Sequence, residues 1–230
     1  MQGEIVPEHV LTHLNQEQTL KRIIETSYDV LLGQVGKGRI VIENEASFQL
    51  HFAYILKTIG ELMQFSPEDT FAIKLETPYV SAGTLNKSGS KKAKIDIVLE
   101  MKNLSTTTRC AVELKFFQKV NMREPNNRYD VYRDLQNLED YVYSKQYNFG
   151  LLFIATDHIH YVSKEQYSMD TADFDFRHGA MYKTGRLLEY RTTKPYGDPI
   201  TLLNEYKFTW ENAGRVYFLK HLVELNDRPT

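Results

Sequence analysis

Lys94-Ile95-Asp96-Ile97-Val98-Leu99-Glu100-Met101 and, a short polar turn later, Arg109-Cys110-Ala111-Val112-Glu113-Leu114-Lys115-Phe116-Phe117 are the two stretches from which the rest of the chain can be read. Both are rich in Val, Ile, Leu and Phe and are bounded by turn-forming residues, which predicts β-strands. Side chains of a strand point alternately to its two faces, so Lys94, Asp96 and Val98 share one face and Ile95, Ile97 and Leu99 the other. By the same rule Ala111, Glu113 and Lys115 stand together, opposite Val112, Leu114 and Phe116. If the strands pair, an aspartate, a glutamate and a lysine converge on one patch of an apolar sheet, where unpaired charge is costly. A divalent cation accounts for such a cluster, because hard oxygen ligands suit magnesium or manganese. The plain alternative is a solvated ion-pair patch on an open sheet face.

Working outward, Phe71–Val80 predicts a further strand, joined to the first by the polar segment 83–92. Before it, Glu45–Met63 carries Phe48, Phe52, Ile55, Ile59 and Leu62 at alternating steps of four and three, the signature of an amphipathic helix. Glu45 lies three residues before Phe48 and continues that stripe inward, whereas Glu43 does not. With Gln49 one turn on, the helix offers a carboxylate and an amide to the sheet, suited to a water or a second cation. An acid in a first helical turn is also favoured simply by the helix dipole.

Downstream, Tyr132, Leu135, Leu138, Val142 and Tyr143 mark a helix over Tyr129–Tyr147. Leu151–Ala155, introduced by Gly150, is apolar throughout and suits a strand buried on both faces. The expected order is α-β-β-β-α-β, with a parallel, right-handed last connection and antiparallel shorter joins. That makes a mixed four-stranded α/β sheet flanked by helices. Leu11–Leu32 has an imperfect helical period and predicts one or two helices, ended by a turn at Gly33, Gly36 and Gly38. Gly36-Lys37 is no phosphate-binding loop, since the spacing and the following hydroxyl are both missing. After Asp157 the expected elements are strands at Arg186–Thr192 and Glu205–Trp210 and a helix at Ala213–Leu225, read as peripheral. The whole chain, 1–230, reads as one domain: a helical brace over 1–40, a core over 41–157 and a C-terminal elaboration over 158–230.

Hydrophobic residues at 42% and charged residues at 25% are ordinary for a globular protein and exclude disordered and fibrous classes. The net charge of -2 gives no global attraction for nucleic acid, so any basic surface must be gathered locally. No apolar run approaches the roughly 20 residues that cross a bilayer, and MQGEIVPEHV lacks the layout of a signal peptide. The expectation is a cytoplasmic protein without a membrane partner. Cys110 is the single cysteine, which excludes an internal disulfide and a cysteine-built zinc site and fits an inert thiol.

Taken together, these residues resemble the PD-(D/E)XK nuclease superfamily, the fold of many restriction and repair endonucleases. Asn44-Glu45-Ala46-Ser47-Phe48-Gln49 is similar to its first-helix motif, Lys94-Ile95-Asp96-Ile97-Val98-Leu99 to its aspartate strand, and Val112-Glu113-Leu114-Lys115 to its (D/E)XK strand. The resemblance covers Glu45–Ala155, about half of the chain, and Ile95 stands where the family name has proline. It implies a restriction-endonuclease-like fold in which Asp96, Glu113 and the Leu114 carbonyl hold Mg2+, with Mn2+ as a substitute. Lys115 would serve the attacking water, with Glu45 in support. The implied function is a magnesium-dependent endonuclease acting on DNA, in restriction or defence. Alternatives are a nuclease for RNA or repair intermediates, and a non-catalytic nucleic-acid or protein interaction module on the same fold. A palindromic target would favour a two-fold homodimer.

Several further residues are candidates for contact with the substrate. Lys87, Lys91, Lys92 and Lys94, with no acid among them, could reach phosphates or form a soluble hairpin tip. Arg123, Arg128 and Arg133 could meet a backbone or be ordinary helix charges. His158 and His160 would share a strand face but have no evident third ligand, which favours a structural or surface role. Tyr182, Lys183, Tyr190, Arg191 and Tyr196 mix rings and cations as base-stacking surfaces do, with packing as the safer reading.

Overall fold

Asn15 caps the first helix, α1 (Gln16–Gly36), through a reciprocal capping box with Gln18. Asn44 and Ser47 do the same for α2 (Glu45–Leu62), satisfying amide donors that a helix start leaves unpaired. A computed structural model describes residues 15–64, 67–79, 94–121 and 123–225. Gly33 and Gly36, expected in a turn, lie inside α1, whose buried face carries it to Val35. The turn falls at Lys37 and Gly38, where φ is +68°. One continuous helix therefore replaces the break, packing outweighing glycine's modest penalty.

Strands β1 (Thr70–Pro78), β2 (Lys94–Lys102) and β3 (Thr107–Phe117) form an antiparallel meander. Helix α3 (Glu124–Tyr143) then crosses to β4 (Phe149–Thr156), which pairs parallel to β3. Every residue of β4 is buried, as its unbroken apolar run requires. A one-turn helix, α4 (His160–Ser163), follows. A small two-stranded sheet comes next, β5 (Met181–Tyr182) with β6 (Tyr206–Lys207).

The C-terminal part departs from expectation. Ala213–Leu225 is not a helix: β7 (Trp210–Ala213) and β8 (Val216–Val223) form a hairpin around Gly214, whose φ is +69°. Strand β8 inserts between β4 and β7, so the main sheet has six strands, not four, among the described residues. The order is β1-β2-β3-β4-β8-β7, a mixed sheet in an α/β fold. In β8 both faces contribute to the core, Phe218 on one side and Leu219 and Val223 on the other, and such a run reads alike as helix or strand. Arg186–Thr192 holds only a bridge between Leu188 and Ile200, and the expected strand at Glu205–Trp210 is split between β6 and β7.

Two cores sandwich the sheet. On one face α1 and α2 pack Tyr28, Phe48 and Phe52 around Phe153, with ring centroids 4.8 to 5.2 Å apart. On the other, α3 and the segment after β4 bury Tyr132, Phe174, Phe176, Phe208 and Trp210. The C-terminal segment is thus part of the core and not peripheral. Among the described residues no helix is long and apolar enough to cross a membrane.

Candidate active site

Pairing between β2 and β3 runs from Lys102–Thr107 to Ile97–Val112 and stops there. Beyond that point Asp96 replaces a ladder bond with its side chain, Oδ2 accepting from the Leu114 amide at 2.7 Å. On the other side, β1 pairs Leu75 with Ile97 and Thr77 with Ile95 but skips Glu76, whose φ of +51° is costly for a residue with a Cβ. Strict alternation fails here too. Ile95 packs in the α3-side core, while Ile97 and Leu99 face α1 and α2. In β3 alternation is kept: Ala111 belongs to the α3-side core and Val112, Leu114 and Phe116 to the other.

Into this parting of strands come groups from three directions. The Asp96 carboxylate, on the Leu114 amide, lies beside Glu113, near enough that each acts on the other's ionisation. Glu45 reaches across from the first turn of α2, its Oε2 accepting from the Phe116 amide at 3.4 Å. Lys115 Nζ donates to the Leu114 carbonyl at 3.1 Å and pairs with Asp134 Oδ2 at 3.2 Å. From α3, Tyr141 donates its hydroxyl to Glu113 Oε1 at 3.2 Å. Gln49 has a different role from the one expected: its amide donates to the Asp96 backbone carbonyl at 2.8 Å and to Glu76 Oε1 at 3.2 Å. It thereby holds β2 at the break.

Asp134 and Tyr141 were not among the expected site residues, yet a signal for them exists. Val131, Asp134, Leu138 and Tyr141 follow steps of three, four and three, so an acid and a phenol lie on the inward stripe of α3.

Electrostatics follow from burial. Glu113 is 4% exposed, and burial, then the neighbouring Asp134 and Asp96 charges, push its pKa well above the carboxylate range. Asp96 and Glu45 are raised for the same first reason, with Lys115 opposing. Glu45 is exposed as a residue, but its carboxylate is turned into the cleft, where it is desolvated. Asp134 is raised to about 6 by burial, again against Lys115. Burial alone would lower Lys115, but Asp134, Glu45, Asp96 and Glu113 outweigh it and hold the ammonium protonated.

Among the described residues no three His, Cys, Asp or Glu side chains stand as a ready-made ligand cluster. The donor chemistry nevertheless fits a hard divalent cation. Four carboxyls face one ammonium, and burial beside Asp134 and Asp96 makes the charge of Glu113 costly. A cation there would offset that cost, with the Leu114 carbonyl as a third oxygen once Lys115 turns from it.

Other candidates are placed as follows. Lys87, Lys91 and Lys92 lie outside the described residues, and Lys94 pairs with Glu76 at 3.5 Å. Arg128 is fully buried, bound to Glu124, the Thr171 carbonyl and the Tyr167 ring, so it is no backbone contact. Arg123 and Arg133 are exposed. His158 and His160 are not on a strand; their rings stack at 5.0 Å around the start of α4, and His160 lies 3.4 Å from Glu124. Tyr182 is buried, Tyr190 bonds to Asn126 and Arg191 to Asp173, all structural contacts; Lys183 and Tyr196 are exposed. Cys110 is buried within β3, which pushes its thiol pKa well up. A scan against protein-family models finds no match to this chain, and neither the curated proteins nor the solved structures yield one.

Proposed function

We propose that this chain is a magnesium-dependent endonuclease that hydrolyses DNA phosphodiester bonds on a restriction-endonuclease-like core. One observation carries the reading: where β2 and β3 part, the Asp96 carboxylate seats on the Leu114 amide beside Glu113, and the Lys115 ammonium rests on the Leu114 carbonyl. The element order from α2 to β4 and the resemblance to the PD-(D/E)XK superfamily support it further. A role in restriction or defence rests on that resemblance alone.

Asp96, Glu113 and the Leu114 carbonyl would hold magnesium, which polarises a phosphoryl oxygen. Tyr141 orients Glu113 by its hydrogen bond, and Gln49 fixes the backbone of Asp96. Lys115, kept protonated, is suited to donate hydrogen bonds to the attacking water or to a phosphoryl oxygen as negative charge grows there. It is poorly suited to remove a proton, which narrows its role to orientation and charge stabilisation. Glu45 and Asp134 set the field around it, Asp134 as its ion-pair partner.

The test is titration calorimetry with Mg2+ and Mn2+ on the wild type and on Asp96→Ala, together with cleavage of a supercoiled plasmid. Divalent binding and nicking by the wild type, both lost in the variant, are expected. Equal cation binding by the two proteins would remove the metal site, and cleavage of RNA alone would replace the substrate.

A further inference from the structure

Glu100, on β2, is a carboxylate whose side chain is only 4% exposed, and three cations converge on it from three strands. Arg109 Nε on β3 lies 2.7 Å away, Lys102 Nζ on β2 2.8 Å, and Lys74 Nζ on β1 3.7 Å. Neutralising one buried acid accounts for one of these charges. Two remain in excess, and all three cations keep their side chains about half exposed, at 46% for Lys102 and Arg109 and 55% for Lys74. Like charges brought this close repel unless an anion holds them, and Glu100 is the fixed part of that anion. A second, diffusible anion is what the exposed half of the cluster can accept.

Its place on the sheet identifies the anion. Glu100 pairs with Arg109 and with Ala72, and Val98 with Ala111 and with Lys74, so all four charged groups share the face that carries Glu113. Arg109 is four residues from Glu113 on one strand, about 14 Å at roughly 3.4 Å per residue. Helix α3 lies over β3, β4 and β8, and leaves the cluster exposed toward β1. Rings extend from the site toward the cluster: Tyr141, bonded to Glu113, has Tyr79 at 4.3 Å and Tyr147 at 5.9 Å, and Tyr147 lies in the field of Arg109 and Glu100.

We propose that Lys74, Lys102 and Arg109, gathered by Glu100, form a clamp for a backbone phosphate of duplex DNA whose scissile bond lies at Asp96 and Glu113. The clamp rests on the nuclease reading and adds a second point of contact to it. At roughly 3.4 Å of axis per strand charge, the clamped phosphate is about four positions from the cut. A chain with net charge -2 attracts nucleic acid through such local clusters, since its overall field does not.

The test is fluorescence anisotropy of a fluorescein-labelled DNA duplex in Ca2+ over a series of salt concentrations. Proteins compared are the wild type, Lys74→Gln, and Lys74→Gln with Lys102→Gln. Each lost phosphate contact is expected to weaken binding and to reduce the slope of log affinity against log salt by about one, while Mg2+ affinity by calorimetry stays unchanged. Lys74→Gln leaves Glu100 its two nearer partners, so it decides the matter even if the double variant fails to fold. If the wild type binds and cuts DNA and Lys74→Gln matches it in affinity and slope, the clamp is wrong and the nuclease reading stands. If the wild type neither binds nor cuts nucleic acid, both fall.

Discussion

Lys115 keeps its charge in a place where burial alone would favour its loss, because carboxylates from α2, β2, β3 and α3 surround it. Its removal separates two roles that sit on neighbouring atoms. Lys115→Ala is expected to retain Mg2+ binding, since the oxygen donors remain, and to lose about 10²- to 10³-fold in the rate of plasmid nicking, the usual scale for one charge-stabilising donor. Unchanged nicking would take the lysine out of the chemistry. Asp134 acts through Lys115, so Asp134→Asn is a positioning change. Misplacement of the ammonium should lower kcat by up to about 10²-fold while KM for the plasmid stays level. A rise in KM alone would show that Asp134 serves binding instead.

Among the elements, α3 does most to connect site and scaffold. Its Asp134 and Tyr141 reach the acid cluster, and between them Glu139 binds the C-terminal segment. The Glu139 carboxylate accepts from the Leu203 amide at 2.7 Å, the Asn204 amide at 2.8 Å and the Tyr206 hydroxyl at 2.9 Å. Gln offers one acceptor oxygen where three donors converge and turns an amide toward at least one of them. Glu139→Gln should therefore destabilise the protein by about 1–3 kcal/mol, the cost of leaving a buried donor unpaired. Urea unfolding measures it, and a midpoint equal to the wild type would mean that α3 is anchored by apolar packing alone. The parting of β2 from β3 also belongs to this scale. Asp96 occupies the Leu114 amide, Gln49 occupies the Asp96 carbonyl, and both strand edges stay satisfied where the ladder ends.

For the molecule as a whole, a buried histidine ties stability to pH. His221 on β8 is packed edge-on against Tyr206 and Phe208, its Nε2 has no partner among the described residues, and burial lowers its pKa to about 4 from an ordinary 6.5. The unfolded chain binds the proton first, so the stability present above pH 6.5 is lost as pH falls toward 4. Glu100 adds a second loss: burial opposes its charge, but Lys102 and Arg109 hold its pKa down to about 2 from 4.5, so its contribution disappears between those values. Thermal unfolding from pH 7.5 to 4.5, a window in which the raised carboxyls of the site act in the opposite sense, should show the wild type losing midpoint relative to His221→Phe as pH falls, since the variant keeps the ring contacts and removes this titration. Parallel profiles would acquit the histidine.

Alternation along β3 and the three-four stripe of α2 are local properties, and from them the sequence by itself determined that Glu113 and Lys115 stand together, that Glu45 turns inward and that a parallel crossover leads to β4. Contacts between distant segments decided the rest. Asp134 and Tyr141 became site residues only when α3 lay over β3, although their spacing had marked them as inward. Strand β8 looked helical because a run buried on both faces has no polar period, and only its place between β4 and β7 supplies the hydrogen-bond partners that make it a strand. The protonation of Lys115 likewise needed the fold, since a side chain's charge depends on every group packed around it and the nearest of these, Asp134, lies on another element.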